Sequence, residues 1–533
     1  MRVEVDHGST AAVSLVSGDG EIFGSSLDAG ESVAFSSQNF AVYTWTGCTL
    51  RVAGSADTPY DSDDTPMDAY LAIHDALEGR RRAAAAAIEA QARAAAEGGA
   101  EAAGTRLADA DSSASSWTRG PTVLVVGPTD VGKSTLCRIL AGYAVRSGWA
   151  PFFADLDLGQ GSLGLPGSIS CVSVDAPVDP SAGWPDDAPA IWYQGDLTFG
   201  RDGANQDSQR ELYLKLVSNA AAALEARAAR SPLARASGGL VNTMGWIDGL
   251  GYDLLRESAR ILGADVVLVV GADRLRVKMG ADVAKDHKKA LAEMRQGADG
   301  KRADAGARGG AGADSATADG PAPAAEAAAG PSSAAAAAAP ASPRAALDPF
   351  GDDEEDADAS RGPPPGWGPR RPMAPPPCLP PAPVVLSAPR SAGVVIRSAE
   401  YRAESRRRRV EAYFYGANGE LRPVSQTLKL ADVSVLRAGG GFQAPSSALP
   451  LGASATVDLL RLAPVDDLRE LVSTVAAVSH AESADDALEA TIAGYIYVQD
   501  VDEAEGTLTY LAPRAGPLPG KILLAGKYKV YLS

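Results

Sequence analysis

One nine-residue stretch constrains this chain more than any other: Gly127-Pro-Thr-Asp-Val-Gly132-Lys133-Ser134-Thr135, set between the apolar run Thr122-Val-Leu-Val-Val126 and a helical pattern from Lys133 to Ser147. The pattern G-x-x-x-x-G-K-[ST] between a strand and a helix is a phosphate cradle. Its glycines let backbone N–H groups curl around phosphate, Lys133 can reach the β- and γ-oxygens, and Ser134 offers an oxygen to Mg²⁺. Nucleotide binding is the inference, with Gly127, Asp130, Val131, Gly132, Lys133, Ser134 and Thr135 as the contact residues.

Around this motif the chain alternates apolar strand, glycine turn and helix, with further strands at Pro151–Leu156 and Ala264–Val270. Alternation of this kind predicts βαβ units on a parallel sheet. At 533 residues about three domains are expected. Residues 1–98 read as an N-terminal β-sandwich or barrel followed by a helix that starts at Thr65-Pro66-Met67-Asp68, where a hydroxyl cap precedes proline. Residues 99–119 read as a linker, 120–416 as the P-loop domain, and 417–533 as a smaller β-rich domain. The Ala-, Gly-, Pro- and Ser-rich stretch over 297–383 cannot bury enough apolar surface to offset chain entropy and is expected to be a disordered insertion.

Composition narrows the chemistry. The 45% hydrophobic share is that of a soluble protein, and no run of eighteen apolar residues is present to cross a bilayer. Four isolated cysteines and four isolated histidines offer neither a disulfide framework nor a zinc site, so a metal would be held by oxygen. A net charge of −18 argues against a generally basic nucleic-acid binder and requires any RNA to use a local basic patch.

Three further elements carry candidate chemistry. Asp155-Leu-Asp157-Leu-Gly159-Gln160-Gly161 puts two acids on one face of a strand beside the P-loop, where Asp157 could orient Mg²⁺-bound water or take a proton, or merely cap a turn. Gln160 between glycines could serve the same centre or be a loop residue. Asn242-Thr-Met-Gly245-Trp246 follows an apolar strand, so Trp246 could stack on a substrate base, although tryptophan is more often core. After the insertion come Arg397 and Arg402, then Arg406–Arg409. Arginines on a lid could stabilise the transferring phosphoryl group, while Arg406–Arg409 read better as a solvated basic face or nuclear-import patch.

Taken together, GPTDVGKST at 127–135, LDLGQG at 156–161, NTMGW at 242–246, VVIRSAEYR at 394–402, YFYG at 413–416, DTPM at 64–67 and the Thr44-Trp-Thr-Gly-Cys48 strand resemble the RNA 5′-hydroxyl kinases of the pre-mRNA 3′-end cleavage machinery. The resemblance implies an α/β protein: a central P-loop kinase-type parallel sheet flanked by an N-terminal β-sandwich and a smaller C-terminal β-rich domain. It implies ATP and Mg²⁺ as ligands, with Lys133, Ser134 and Thr135 on phosphate, and Ser134 and Asp157 toward the metal. Asp157 and Gln160 would serve the reaction centre, Trp246 would clasp the terminal base, and Arg397 and Arg402 would be lid arginines. The N-terminal domain would contribute to the adenine site, with Asn39 standing where a basic residue is common. RNA with a 5′-hydroxyl end, other cleavage-factor subunits and a nuclear location follow as expectations. An ATP-locked, non-catalytic assembly subunit is the alternative that the same residues allow.

Overall fold

The computed structural model describes residues 1–5, 8–55, 59–97, 118–185, 189–199, 203–289, 382–417, 419–438 and 460–532. The expected linker and insertion lie outside the described residues, apart from 118–119 and 382–383. The N-terminal segment forms two facing sheets. One orders Arg2–Val3, Phe40–Tyr43, Glu21–Ile22 and Ser25–Ser26; the other orders Ser32–Ser36, Thr10–Gly18 and Cys48–Gly54. Period-two burial along Thr10–Gly18 sends Ala11, Val13 and Leu15 inward, where they meet Ile22, Phe35 and Phe40. Phe35 and Phe40 stack with centroids 3.9 Å apart.

The helix predicted from Thr65-Pro66 spans Met67–Glu97. Its Tyr70, Ile73 and Leu77 share a core with Leu136 and Leu140 of the P-loop helix, Lys133–Arg146. The N-terminal sandwich meets that same helix backbone to backbone. A Cβ at Gly142 would stand 2.8 Å from the Gly24 carbonyl oxygen, so both positions need glycine for this close approach.

The central sheet has seven strands in the order Ala190–Tyr193, Ser168–Ser173, Phe152–Asp155, Gly239–Asn242, Thr122–Val126, Val266–Val270 and Val384–Ala388. The last five are parallel, as expected. Ser168–Ser173 alone runs the other way, antiparallel to both Phe152–Asp155 and Ala190–Tyr193, so the expected parallel sheet carries one reversed strand and is mixed. The reason is local: a parallel neighbour needs a crossover helix, but the glycine-rich run from Leu156 to Gly167 turns the chain straight back. Strand Thr122–Val126 is buried on both faces, with Val123 and Val125 packed toward the P-loop helix and Leu124 and Val126 toward helices Gly203–Ala228 and Leu250–Ile261.

A second seven-stranded sheet closes the chain, ordered Val424–Lys429, Thr507–Ala512, Ile492–Asp502, Thr474–Ser479, Ile522–Lys529, Ser434–Ala438 and Leu462–Pro464. It is joined to the central sheet through Tyr193, whose hydroxyl donates to the Val475 carbonyl at 2.8 Å, and through Trp192, whose Nε1 donates to the Glu489 carbonyl at 3.0 Å. The helix Ala399–Tyr415 is rooted in the same place: Val410 and Phe414 pack with Tyr193, Val475 and Tyr495. No helix among the described residues is long and apolar enough to cross a membrane.

Phe414 is fully buried, so Phe414→Ala leaves a cavity expected to cost about 3–5 kcal/mol. Urea unfolding followed by tyrosine and tryptophan fluorescence should show the early loss of the C-terminal sheet together with this helix.

Candidate functional site: a phosphate loop under an arginine-bearing helix

The site lies at the carboxyl ends of the parallel strands, where ligands of open α/β sheets bind. Strand Thr122–Val126 delivers the chain into a loop whose backbone is left-handed at Gly127 (φ 153°), Asp130 (φ 56°) and Gly132 (φ 92°). A Cβ at Gly127 would come within 2.6 Å of the Val270 carbonyl oxygen, which fixes glycine there sterically as well as conformationally. Val131 is buried and pins the loop to the core, while Ser134 stays exposed and Thr135 half-buried at the start of the helix. Lys133 is only 7% exposed and donates from Nζ to the Pro128 carbonyl at 2.8 Å. Burial pulls its pKa down, opposed first by the charge of Asp157.

The next strand ends in a buried carboxylate, Asp155. Its Oδ1 accepts from the Asp157 amide at 3.1 Å and from Asn242 Nδ2 at 3.0 Å, and its Oδ2 accepts from the Ser162 amide and hydroxyl, each at 2.6 Å. Register explains the asparagine, since Asn242 is the parallel-strand partner of Asp155. Asp157 in turn accepts from the Gly159 and Gln160 amides at 3.0 Å, so it both caps the turn and faces Lys133. Burial, then the neighbouring Asp155, raises the Asp157 pKa.

The arginines converge on this loop from the far side of the insertion. The Arg397 amide and Arg402 Nη1 both donate to Asp130 Oδ2 at 3.1 Å, and Arg402 Nη1 also reaches the Arg397 carbonyl at 2.9 Å. Arg397 Nη1 lies 3.4 Å from Gln160 Oε1. Lys133, Asp157, Gln160, Arg397 and Arg402 are thus brought into one neighbourhood.

Trp246 is 41% exposed and borders the same region: Gly245 abuts Thr129 of the P-loop, and a Cβ on Gly251 would fall 2.3 Å from Trp246 Cγ. Its ring packs against Phe199 at 5.8 Å, a tilted pair, and against Gly251, and the part left exposed is available to a flat ligand. Asn39 has a hydrogen-bonding partner within its own domain. Its Oδ1 accepts from the Val5 amide at 2.9 Å and so ties down the N-terminal strand.

Sequence reasoning missed Arg409. Its Nη2 donates to the Ser162 carbonyl at 2.6 Å, and burial lowers its pKa, opposed chiefly by Asp155. Arg407 and Arg408 pair with Glu404 on their own helix, and Arg407 also with Glu411; these guanidinium groups hold the Glu404 pKa down to about 2. The run is therefore not a uniform solvated basic face. The helical spacing 402, 406, 409 was the signal that one arginine of the run shares a face with Arg402. Among the described residues no three His, Cys, Asp or Glu side chains converge as a metal cage. The oxygen donors Ser134 and Asp157 nonetheless fit Mg²⁺, which takes one or two protein oxygens and completes its shell with phosphate and water.

Three family models match the chain in order: the N-terminal beta-sandwich domain of polyadenylation factor at residues 1–84, the mRNA cleavage and polyadenylation factor CLP1 P-loop at 127–297, and the pre-mRNA cleavage complex II protein Clp1 at 421–531. Among curated relatives, Protein CLP1 homolog of Arabidopsis thaliana is 33% identical over 99% of this chain and 91% of its own length. Polyribonucleotide 5′-hydroxyl-kinase Clp1 of Gallus gallus is 30% identical over 98% of this chain and 92% of its own length. In fold, the chain is similar to one in a structure of the extended Pcf11p–Clp1p interface and of ATP loss in a glycine-to-arginine mutant, with TM-score 0.62, 16% identity, and coverage of 99% of this chain and 96% of that one.

Asp130→Gly keeps the left-handed backbone of the loop but removes both charge-assisted contacts to the arginine segment. Hydrogen exchange of the amides over 397–403 should accelerate on the order of tenfold, as local opening of an unclamped segment requires.

Proposed function

The chain belongs to the Clp1 family, and from that premise we propose that it binds ATP with magnesium in the P-loop and moves the γ-phosphate to the 5′-hydroxyl of an RNA, as a nuclear subunit of the pre-mRNA 3′-end cleavage machinery. The observation that carries the reading is the convergence of Lys133, Asp157, Gln160 and two lid arginines on one loop. A scaffold that only held nucleotide would need the cradle but not this second set of cations.

In this reading the loop amides from Asp130 to Thr135 bind the phosphates, Lys133 neutralises the β- and γ-oxygens, and Ser134 with Asp157 holds the magnesium. The metal, when bound there, would supply positive charge beside the phosphates. Burial raises the Asp157 pKa, which suits a group that accepts a proton from an attacking hydroxyl, directly or through water. Gln160 orients that acceptor and touches Arg397. The guanidinium of Arg397 turns from Gln160 and that of Arg402 from Asp130 to the transferring phosphoryl group, whose developing charge competes for them. Trp246 presents its exposed ring surface to the terminal base of the RNA. The adenine site falls to the N-terminal domain, with Asn39 positioning its first strand rather than supplying charge.

One observation favours the second reading, an ATP-locked assembly subunit. The lid helix is rooted by Val410 and Phe414 in the C-terminal core and clamped by Asp130 at its other end, so its closed arrangement needs no substrate to form. Other subunits of the cleavage complex are partners on either reading. Pcf11p holds that place in the similar solved structure.

The test is transfer from γ-labelled ATP to a 5′-hydroxyl RNA under single turnover, beside ATP affinity. Lys133→Ala should weaken ATP binding or abolish transfer. Arg397→Ala or Arg402→Ala should slow transfer on the order of 10³-fold with ATP affinity nearly unchanged, because contacts made only in the transition state set the rate. Equal rates in wild type and both arginine variants would overturn the lid assignment. Tight ATP binding with no transfer by wild type would establish the locked subunit instead.

A further inference from the structure

The Thr44-Trp-Thr-Gly-Cys48 segment takes no part in the site above, yet it borders a cavity of about 210 Å³. Water's share of liquid volume is about 30 Å³, so the space admits the end of a large side chain. Its wall is Tyr43 and Trp45, packed edge to face with centroids 4.8 Å apart. Trp45 remains 42% exposed, an aromatic surface that the sandwich core does not use.

The charge of the cavity is one-sided. Asp19, Glu21 and Asp28 line it against a single cation, Arg146. Glu21 is buried and already satisfied by Tyr143 Oη and by Arg146 Nη1 at 2.8 Å, which leaves the negative charges of Asp19, whose Oδ1 accepts from the Thr46 hydroxyl, and of Asp28 in excess, both side chains exposed. Asp68 adds to the negative field, since with burial and Glu21 it raises the pKa of Tyr43. Arg146 also marks the C-terminal end of the P-loop helix, the negative pole of its dipole. Thirteen residue steps along that helix separate this end from Lys133, about 20 Å, so the cavity is separate from the phosphate site.

An acidic pocket repels phosphate, so nucleic acid does not suit it. A guanidinium does: it stacks on an aromatic face and presents a fork of N–H donors that matches carboxylates, which a lysine ammonium does not. We propose that the cavity beneath Trp45 is a docking pocket for an arginine side chain of a partner protein, stacked on Trp45 and held by Asp19 and Asp28. The pocket makes the N-terminal sandwich an interaction module in its own right, seated on the helix that carries the P-loop. Nothing in it depends on phosphoryl transfer.

The full chain labelled with 5-fluorotryptophan tests this, the Trp45 resonance being identified by its loss in Trp45→Phe. Titration with Ac-Gly-Arg-Gly-NH₂ should shift that resonance saturably in the millimolar range, and the neutral citrulline peptide Ac-Gly-citrulline-Gly-NH₂ should not. The double variant Asp19→Asn, Asp28→Asn should bind the arginine peptide at least about tenfold more weakly while its melting temperature and ATP affinity match wild type. A response equal for arginine and citrulline, no saturable shift with the arginine peptide, or a larger shift with an oligouridylate would each overturn the proposal. So would a double variant that binds as wild type does.

Discussion

The site depends on one buried carboxylate. Asp155 is 1% exposed and accepts four hydrogen bonds, from Asp157, Asn242 and, twice, Ser162. A charge taken out of water at such a depth is tolerable only when its lone pairs are filled. Filling them ties together the acidic turn, the strand end that leads to Trp246, and, through the Ser162 carbonyl, Arg409 of the helix Ala399–Tyr415. The residues that would act on a phosphoryl group are thus placed by one that would never touch it.

The helix Ala399–Tyr415 is the second consequence. Arg409 compensates the Asp155 charge from above, and the next residue, Val410, with Phe414 a turn beyond it, enters the core shared by the central and C-terminal sheets. Tyr413 donates no charge but its hydroxyl accepts the Tyr495 amide at 2.9 Å, while the Tyr495 hydroxyl meets Ser168 Oγ at 2.6 Å. The C-terminal sheet therefore sets the height of the helix over the P-loop. Only its leading end, from Arg397 to Arg402, is held by surface contacts, and that is the part whose arginines would have to turn toward a substrate.

The P-loop, the strand before it and the helix after it were legible in the sequence because local rules agree there: an apolar run, glycines where the backbone is left-handed, and a helical period. The reversed strand Ser168–Ser173 was not, because short apolar runs do not report direction and the glycine-rich return after Asp157 looks like any loop. Arg409 hid within a run of four arginines whose members differ only in what each faces. Asn39 lies in the domain expected at the nucleotide base, and its side chain accepts from the Val5 amide, 34 residues away in sequence. Contacts between residues far apart in sequence decide such cases.

If Asp155 organises the reaction centre, Asp155→Asn is the direct test. The amide retains one acceptor oxygen but loses the charge and sets an N–H₂ against the Ser162 amide and hydroxyl or the Asn242 amide. ATP affinity, governed by the P-loop, should change by no more than a few-fold. Single-turnover phosphorylation of a 5′-hydroxyl RNA should fall by on the order of 10²-fold or more, since small displacements of positioned groups are costly. A transfer rate equal to wild type would contradict the account.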